Sequence, residues 1–262
     1  MTIELLMNFL EAYAPSRLAE DWDNVGLLLG DRTAHASRVM TCLTVTGATV
    51  AEAIQQRANL IVTHHPLPFR PLKRLTTDST TGGLIWRLAS AGIAVYSPHT
   101  AFDSAQRGIN QCLAERLGLS DIQPLCPREN DPQQLGAGRM GRLPRPCSLQ
   151  ELAERLKVCL SVDGLHRVGE TQQVIQRVAV ACGSAGKFLD AAKRQGCEAF
   201  VTGEASFHTC LEAEAIGVGL LLPGHYATER FAVVLLSGAI TKEFPDLEVW
   251  ASQAETDPLA WC

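Results

Sequence analysis

Residues 39–63 constrain the fold more than any other stretch. Residues 39–46 form an apolar run that reads as a buried strand. Residues 48–57 have helical periodicity, and 59–63 read as a second strand. Connections this short make a βαβ unit, which requires a parallel strand pair and a right-handed crossover.

The alternation recurs on both sides. Residues 2–13 are helical through Ile3, Leu6, Met7 and Leu10, and Ala14-Pro15-Ser16 punctuates the chain after them. Gly82–Ala91 predicts a helix, Ile93–Tyr96 a strand, and 104–117 an amphipathic helix ending at Gly118. Later come a helix over Leu149–Leu160, a strand over Val174–Ala181, a helix over Lys187–Gln195 and a strand over Ala199–Thr202. A helix over Ser206–Ile216, a strand over Val218–Leu222, a helix over Tyr226–Gly238 and a last strand over Leu247–Ala251 complete the series. Residues 120–147 interrupt it with Pro124, Pro127, Pro132, Pro144 and Pro146 and with Gly136, Gly138 and Gly141. The expected organisation is an N-terminal α/β half over 1–120, a Pro/Gly-rich linker or excursion over 121–147, and a C-terminal α/β half over 148–262. The class is α/β with mostly parallel strands, in two similar halves, intertwined or side by side. Ligands of such folds gather at strand carboxyl ends.

Composition narrows the function. A chain of 262 residues with a net charge of -5 lacks the basic excess of a dedicated nucleic-acid binder, so nucleic acid is an unlikely partner. No run approaches the ~18 apolar residues of a membrane span. The start of the chain has no basic n-region of a signal peptide, so the expected location is cytoplasmic. Nine cysteines, at 42, 112, 126, 147, 159, 182, 197, 210 and 262, include no C-x-x-C pair. They read as reduced structural thiols.

Three strand-to-loop junctions carry chemistry. The strand 59–63 ends in His64-His65-Pro66. The strand Ile93–Tyr96 leads into Ser97-Pro98-His99-Thr100-Ala101-Phe102-Asp103. The strand Val218–Leu222 leads into Pro223-Gly224-His225-Tyr226-Ala227-Thr228-Glu229. Neighbours on a strand point to opposite faces, so His64 and His65 can share one cleft only if the strand stops there. His225 and Glu229 are four apart at a helix start, on one helical face. Imidazole with carboxylate suits zinc, iron, manganese, nickel or cobalt. His64, His65, His99, Asp103, His225 and Glu229 exceed the needs of one zinc, and a bridging carboxylate makes two divalent ions a natural reading. His99 fits a substrate-facing or ligand-supporting role as readily as ligation. His35, His166 and His208 have no partners in this pattern.

The set Asp21–Leu27, Leu60–Pro66, Pro98–Asp103, Val201–Glu204 and Gly224–Glu229 resembles, in order and over nearly the whole chain, the Nif-three-like dinuclear metal centre family, the GTP cyclohydrolase 1 type 2 homologues. The resemblance implies that His64, His65, Asp103, His225 and Glu229 ligate two metals, in a cleft between two α/β halves. It also implies a toroidal homohexamer with its sites facing an interior cavity. One departure stands at Thr44, in the strand before the first helix, where many relatives have an acidic residue.

Other motifs have competing readings. Asp23 and Asn24, in Trp22-Asp23-Asn24-Val25-Gly26, read as a turn-locking pair, with an approach of Asn24 to the metal site as the rival. Cys182–Lys187 follows a strand and opens a helix; it is either a tight turn or an anion cradle, and it is not a Walker A loop. Glu204 is either a carboxylate near a helix start or a general base, so His99 and Glu204 are the catalytic candidates. Arg139 and Arg142 read as solvated cations or as contacts to an anionic substrate.

The leading expectation is a metal-dependent hydrolase with a metal-held hydroxide, acting on a nucleotide or another phosphorylated small molecule. GTP ring opening is what the family label implies, and a phosphoesterase would use the same metals. The rivals are a non-catalytic metal-binding ring acting as scaffold or chaperone, and a nucleic-acid-binding ring.

Overall fold

A computed structural model of the chain describes residues 1–129 and 131–260. From the N-terminus the elements are α1 (Ile3–Tyr13), β1 (Gly26–Leu29), β2 (Arg38–Cys42), α2 (Gly47–Gln55), β3 (Leu60–Thr63), α3 (Thr80–Ser90), β4 (Ala94–Ser97) and α4 (His99–Ser104). Next come α5 (Ile109–Arg116), β5 (Ser120–Gln123), β6 (Cys126–Pro127), β7 (Gly136–Ala137), β8 (Arg139–Ser148), α6 (Leu149–Leu160), β9 (His166–Val168) and β10 (Val174–Ala181). The chain ends through α7 (Leu189–Arg194), β11 (Ala199–Thr202), α8 (Phe207–Ile216), β12 (Gly219–Leu222), α9 (His225–Glu243) and β13 (Glu248–Ala251). Two compact units result. The first is residues 1–102 with 232–256; the second is 103–231 with the described residues from 257 onward.

The first unit holds a five-stranded sheet in the order β1-β4-β3-β2-β13. Strands β2, β3, β4 and β13 pair in parallel, and β1 closes one edge antiparallel to β4. The expected β2–α2–β3 unit is present. Its helix starts in a capping box in which the Thr46 side chain accepts from the Thr49 amide. Met40, Cys42, Val50, Ile61, Leu88 and Val95 pack the core against the sheet. Strand β2 stops at Cys42, short of the expected residue 46. The Leu43 and Thr44 amides turn to the Glu255 carboxylate, at 2.9 and 2.6 Å, and leave the ladder.

The second unit is built on a six-stranded sheet in the order β5-β8-β10-β11-β12-β9. Its central strands β10, β11 and β12 are parallel, and the outer strands are antiparallel. Phe200, Leu189, Ala213 and Leu220 lie in its core. Helix α6 begins in a second capping box, Ser148 with Glu151. Residues 121–147, whose composition reads as a linker or excursion, carry most of β5 and β8 and the β6–β7 hairpin. Pairing of β8 with β10 jumps from Cys147–Ile175 to Arg142–Arg177, and Pro144 and Pro146 sit in that interruption, where no ladder donor is needed. A Cβ on Gly136 would lie 2.1 Å from the Cys126 carbonyl, so this glycine serves a close backbone approach. Of the expected helix 104–117 only α5 forms, N-capped by Gly108; Ser104 is the last residue of α4.

Among the described residues no helix is long and apolar enough to cross a membrane. The eight described cysteines are free thiols, as expected, and Cys262 lies outside the described residues.

Candidate metal centre

Strand β3 ends at Thr63, and the two histidines after it are pinned by their backbones. His64 and His65 amides donate to the Cys42 and Leu43 carbonyls at 3.0 and 2.8 Å. Ser97 Oγ donates to the His64 carbonyl at 2.6 Å. Because the strand has stopped, the rings no longer alternate across the sheet. Their centroids are 5.1 Å apart, and that of His99 is 5.1 Å from His64 and 5.8 Å from His65. One ring nitrogen from each of the three lies within 4.8 Å of the others, close enough to share an ion.

Each outer ring of this cluster is oriented through Nδ1. Thr44 Oγ1 is 2.7 Å from His65 Nδ1. His99 Nδ1 donates to Asp23 Oδ1 at 2.7 Å, and the Thr100 amide and hydroxyl donate to Asp23 Oδ2. A carboxylate partner fixes the proton on His99 Nδ1 and leaves a lone pair on Nε2, and Thr44 is compatible with the same tautomer of His65. Burial would raise the Asp23 pKa, but the hydrogen bonds from His99 and Thr100 and the charge of His99 outweigh it and hold it at about 2. His99 has a φ of +27°, a strained backbone position held in place by these bonds.

In the second unit His225 opens α9 directly after β12. Its Nδ1 donates to Glu204 Oε1 at 3.1 Å, and its Nε2 lies 3.0 Å from Glu229 Oε2, one helical turn on. Burial pushes the His225 pKa down, but the hydrogen bonds and charges of Glu229 and Glu204 outweigh it and lift it to about 9. A cation that displaced the Nε2 proton would find one nitrogen and one oxygen donor already converged. Gly183 makes room for them: a Cβ there would lie 2.1 Å from Glu229 Oε1. Asn110 ties the backbone of Asp103 into the same unit. Its amide donates to the Asp103 carbonyl at 3.1 Å, while its oxygen accepts from the Cys182 amide at 2.7 Å. Burial, then the charges of Glu229 and Asp103, push the Cys182 thiol well up, so it stays protonated and is no thiolate ligand. A cavity of about 410 Å³ opens beside Glu204 and His225, lined also by His166, Leu222, Pro223 and Asp257.

The donors fit a divalent transition metal: nitrogen and carboxylate oxygen, with three imidazoles oriented through their far nitrogens. Sequence reasoning names the histidines and Glu229 as candidates but not the groups that hold them. Asp23 reads locally as a turn residue, and Asn110 and Gly183 carry no local functional signal. Asn24 is structural, as expected, its side chain donating to the Pro68 carbonyl at 2.8 Å. Ser206, not Glu204, caps α8, so the Glu204 carboxylate is left to meet His225. In the loop 182–187 the Cys182, Gly183 and Ala185 amides are taken by Asn110, Thr228 and Thr202, which favours the tight turn over an anion cradle. Arg139 corrects a further expectation. It is 1% exposed and donates to the carbonyls of Ser104, Ala105, Gly136 and Gly138, so it holds loops and meets no substrate. Arg142 is exposed. Of the histidines left outside the pattern, His35 meets the N-terminal amine, and His208 stands beside Phe207.

A family model described as Duf34/NIF3 (NGG1p interacting factor 3) matches residues 1–258. The GTP cyclohydrolase 1 type 2 homolog of Clostridium acetobutylicum is 33% identical over 262 residues, covering 98% of each chain. The homolog of the same name from Nostoc sp. is 38% identical over 233 residues, 88% of each chain. The crystal structure of a Bacillus cereus protein related to NIF3 superposes with a TM-score of 0.92 at 25% identity, covering 100% of this chain and 99% of that one.

Proposed function

This chain belongs to the Duf34/NIF3 family, and from that premise we propose that it is a divalent-metal-dependent hydrolase of a nucleotide or another phosphorylated small molecule. In this reading His64, His65, Asp103, His225 and Glu229 are the ligands of two ions, drawn from zinc, iron, manganese, nickel and cobalt. The observation that carries the reading is the Nδ1 pattern: His65, His99 and His225 each face an oxygen of another segment there, from Thr44, Asp23 and Glu204. Ligating histidines are held in this way, with the far nitrogen oriented by an oxygen partner.

Bound ions would act as Lewis acids toward a carbonyl, phosphoryl or ring carbon and would activate water at neutral pH. The chain's own groups do the rest. Asp23 keeps the proton on His99 Nδ1, so His99 Nε2 can accept one from a substrate. Glu204, half-exposed and beside the cavity, orients His225 and is the second proton-transfer candidate. The name of the curated relatives makes GTP the first substrate to try. The reading includes a toroidal homohexamer located in the cytoplasm.

Elemental analysis of the purified chain, with assays against GTP and phosphoesters after it, tests the proposal. Near two metals per chain and turnover abolished by His65→Ala and by Glu229→Ala are expected. No metal after reconstitution would sink the metal centre. Metal without turnover, with a partner captured only by the metal-loaded form, would favour the scaffold or chaperone reading.

A further inference from the structure

Trp22 and Phe69 stand side by side on the first unit, ring centroids 5.9 Å apart and planes tilted by 45°. They are 56% and 48% exposed. Two large rings left in water together call for a reason, because each would stabilise the fold more if buried. They are not on loose tips. Asn24 fastens the turn of Trp22 to the turn of Phe69 through its bond to the Pro68 carbonyl, at 2.8 Å. Asp23, next to Trp22, is fastened to His99 and Thr100. Both exposed rings then meet His99 edge-on, with centroids 6.1 and 6.0 Å away and an angle of 77°. The aromatic surface thus begins where the cluster of His64, His65 and His99 ends.

Charge lies next to it along the chain. Arg70, Lys73 and Arg74 come after Phe69 within five residues, all exposed, and no acidic residue occurs between His64 and Asp78. An exposed indole beside a cationic loop and a histidine cluster is the chemistry that recognises a planar ring bearing phosphate. At 5.9 Å the two rings stand too close for a third to enter between them, since a sandwiched ring needs about twice the ~3.5 Å contact distance. The ring of a ligand would therefore stack on the exposed part of the pair and not between its two rings.

We propose that Trp22 and Phe69 form a stacking platform for the heterocyclic base of a mononucleotide, whose phosphates are drawn by Arg70, Lys73 and Arg74. This narrows the substrate class of the function proposed above and rests on that reading for the chemistry after binding; the stacking itself uses no metal ligand. A mononucleotide is favoured over a nucleic-acid strand because the chain's net charge of -5 does not suit a polyanion track.

Calorimetric titration of the full chain as purified tests the platform, with GTP, guanosine, ribose 5-phosphate and a deoxythymidine oligonucleotide as probes. GTP is expected to saturate, and ribose 5-phosphate to bind at least tenfold more weakly. Trp22→Ala should raise the GTP Kd about tenfold or more, and Trp22→Phe should recover most of the loss. Arg70→Ala with Arg74→Ala should weaken GTP and leave guanosine unchanged. Equal GTP affinity in the wild type and Trp22→Ala would overturn the proposal. So would ribose 5-phosphate binding as tightly as GTP, or displacement of GTP by the oligonucleotide at equal phosphate concentration. Metal content, measured on the same samples, reports separately: GTP bound through Trp22 by a chain that takes no metal would sink the hydrolase reading and keep the platform. Metal bound with GTP binding indifferent to Trp22 would do the reverse.

Discussion

The hydroxyl of Thr44 lies 2.7 Å from Nδ1 of His65. Thr44 stands just past the end of β2, twenty-one residues before His65 in the chain, and folding brings its side chain against the ring. Thr44→Val should keep the fold within about 1 kcal/mol and weaken metal binding by about ten- to a hundredfold, as loss of such a partner does elsewhere. Titration with zinc in a competing chelator checks this. Thr44→Asp should bind at least as tightly as wild type, and a variant series with identical affinities would remove Thr44 from the site.

Gly183 and Gly217 offer a matched pair of substitutions. Their φ values are +68° and +70°, but an added Cβ meets Glu229 Oε1 at 2.1 Å in the first and nothing within 4 Å in the second. Gly217→Ala should cost about 1 kcal/mol, the backbone strain alone. Gly183→Ala should cost clearly more in thermal unfolding and also lower metal content, because Glu229 must move. Equal melting temperatures would show that the site tolerates the displacement.

Asp23 supplies a pH dependence. Its carboxyl is held at about 2 in the folded chain, against ~3.9 in an unfolded one. A folded pKa below the unfolded value gives stability that is fully present above pH ~4 and is lost as pH falls toward 2. The size is of order 2 kcal/mol. Denaturant midpoints between pH 6 and 2 should therefore fall less steeply in Asp23→Asn than in wild type. Parallel slopes would mean that Asp23 gains nothing from His99 and Thr100.

Arg139 serves the fold, and its removal should show in stability. Replacing it by Met leaves the carbonyls of Ser104, Ala105, Gly136 and Gly138 without their donor, at about 2 kcal/mol or more. Arg142→Ala, on the exposed side of the same strand, should stay within about 0.5 kcal/mol. Chemical denaturation of the two variants separates them.

Glu204→Gln keeps the shape of the His225 contact and removes its charge. Zinc affinity should fall by about tenfold or more, while thermal stability changes little, since the Glu204 carboxylate is half-exposed. Unchanged affinity would leave Glu204 only a role in proton transfer.

Much of this protein is legible without coordinates. Periodicity locates β2, β3, β4, β10, β11, β12 and most helices, because each is a short apolar run or an amphipathic stretch. The histidines at strand ends are legible for the same reason: a strand that stops at His64-His65-Pro66 announces a junction in the chain itself. Strand β8 is not legible. Prolines and glycines there signal a break locally, yet they serve an interrupted ladder and close backbone approaches that exist only once β5 and β10 lie alongside. Arg139 looks like a solvated cation for the same reason, since nothing local reveals the carbonyls that other turns bring to it. The ligand candidates follow from side-chain chemistry, which belongs to each residue. Their supports, Asp23 on Thr100 and His99, Asn110 on Cys182, and Gly183 under Glu229, are contacts between segments far apart in the chain. No local pattern encodes such contacts. The sequence determined which atoms can bind and roughly where the strands present them; tertiary packing alone decided which nitrogen of each ring faces outward, because orientation is set by a partner that only folding brings near.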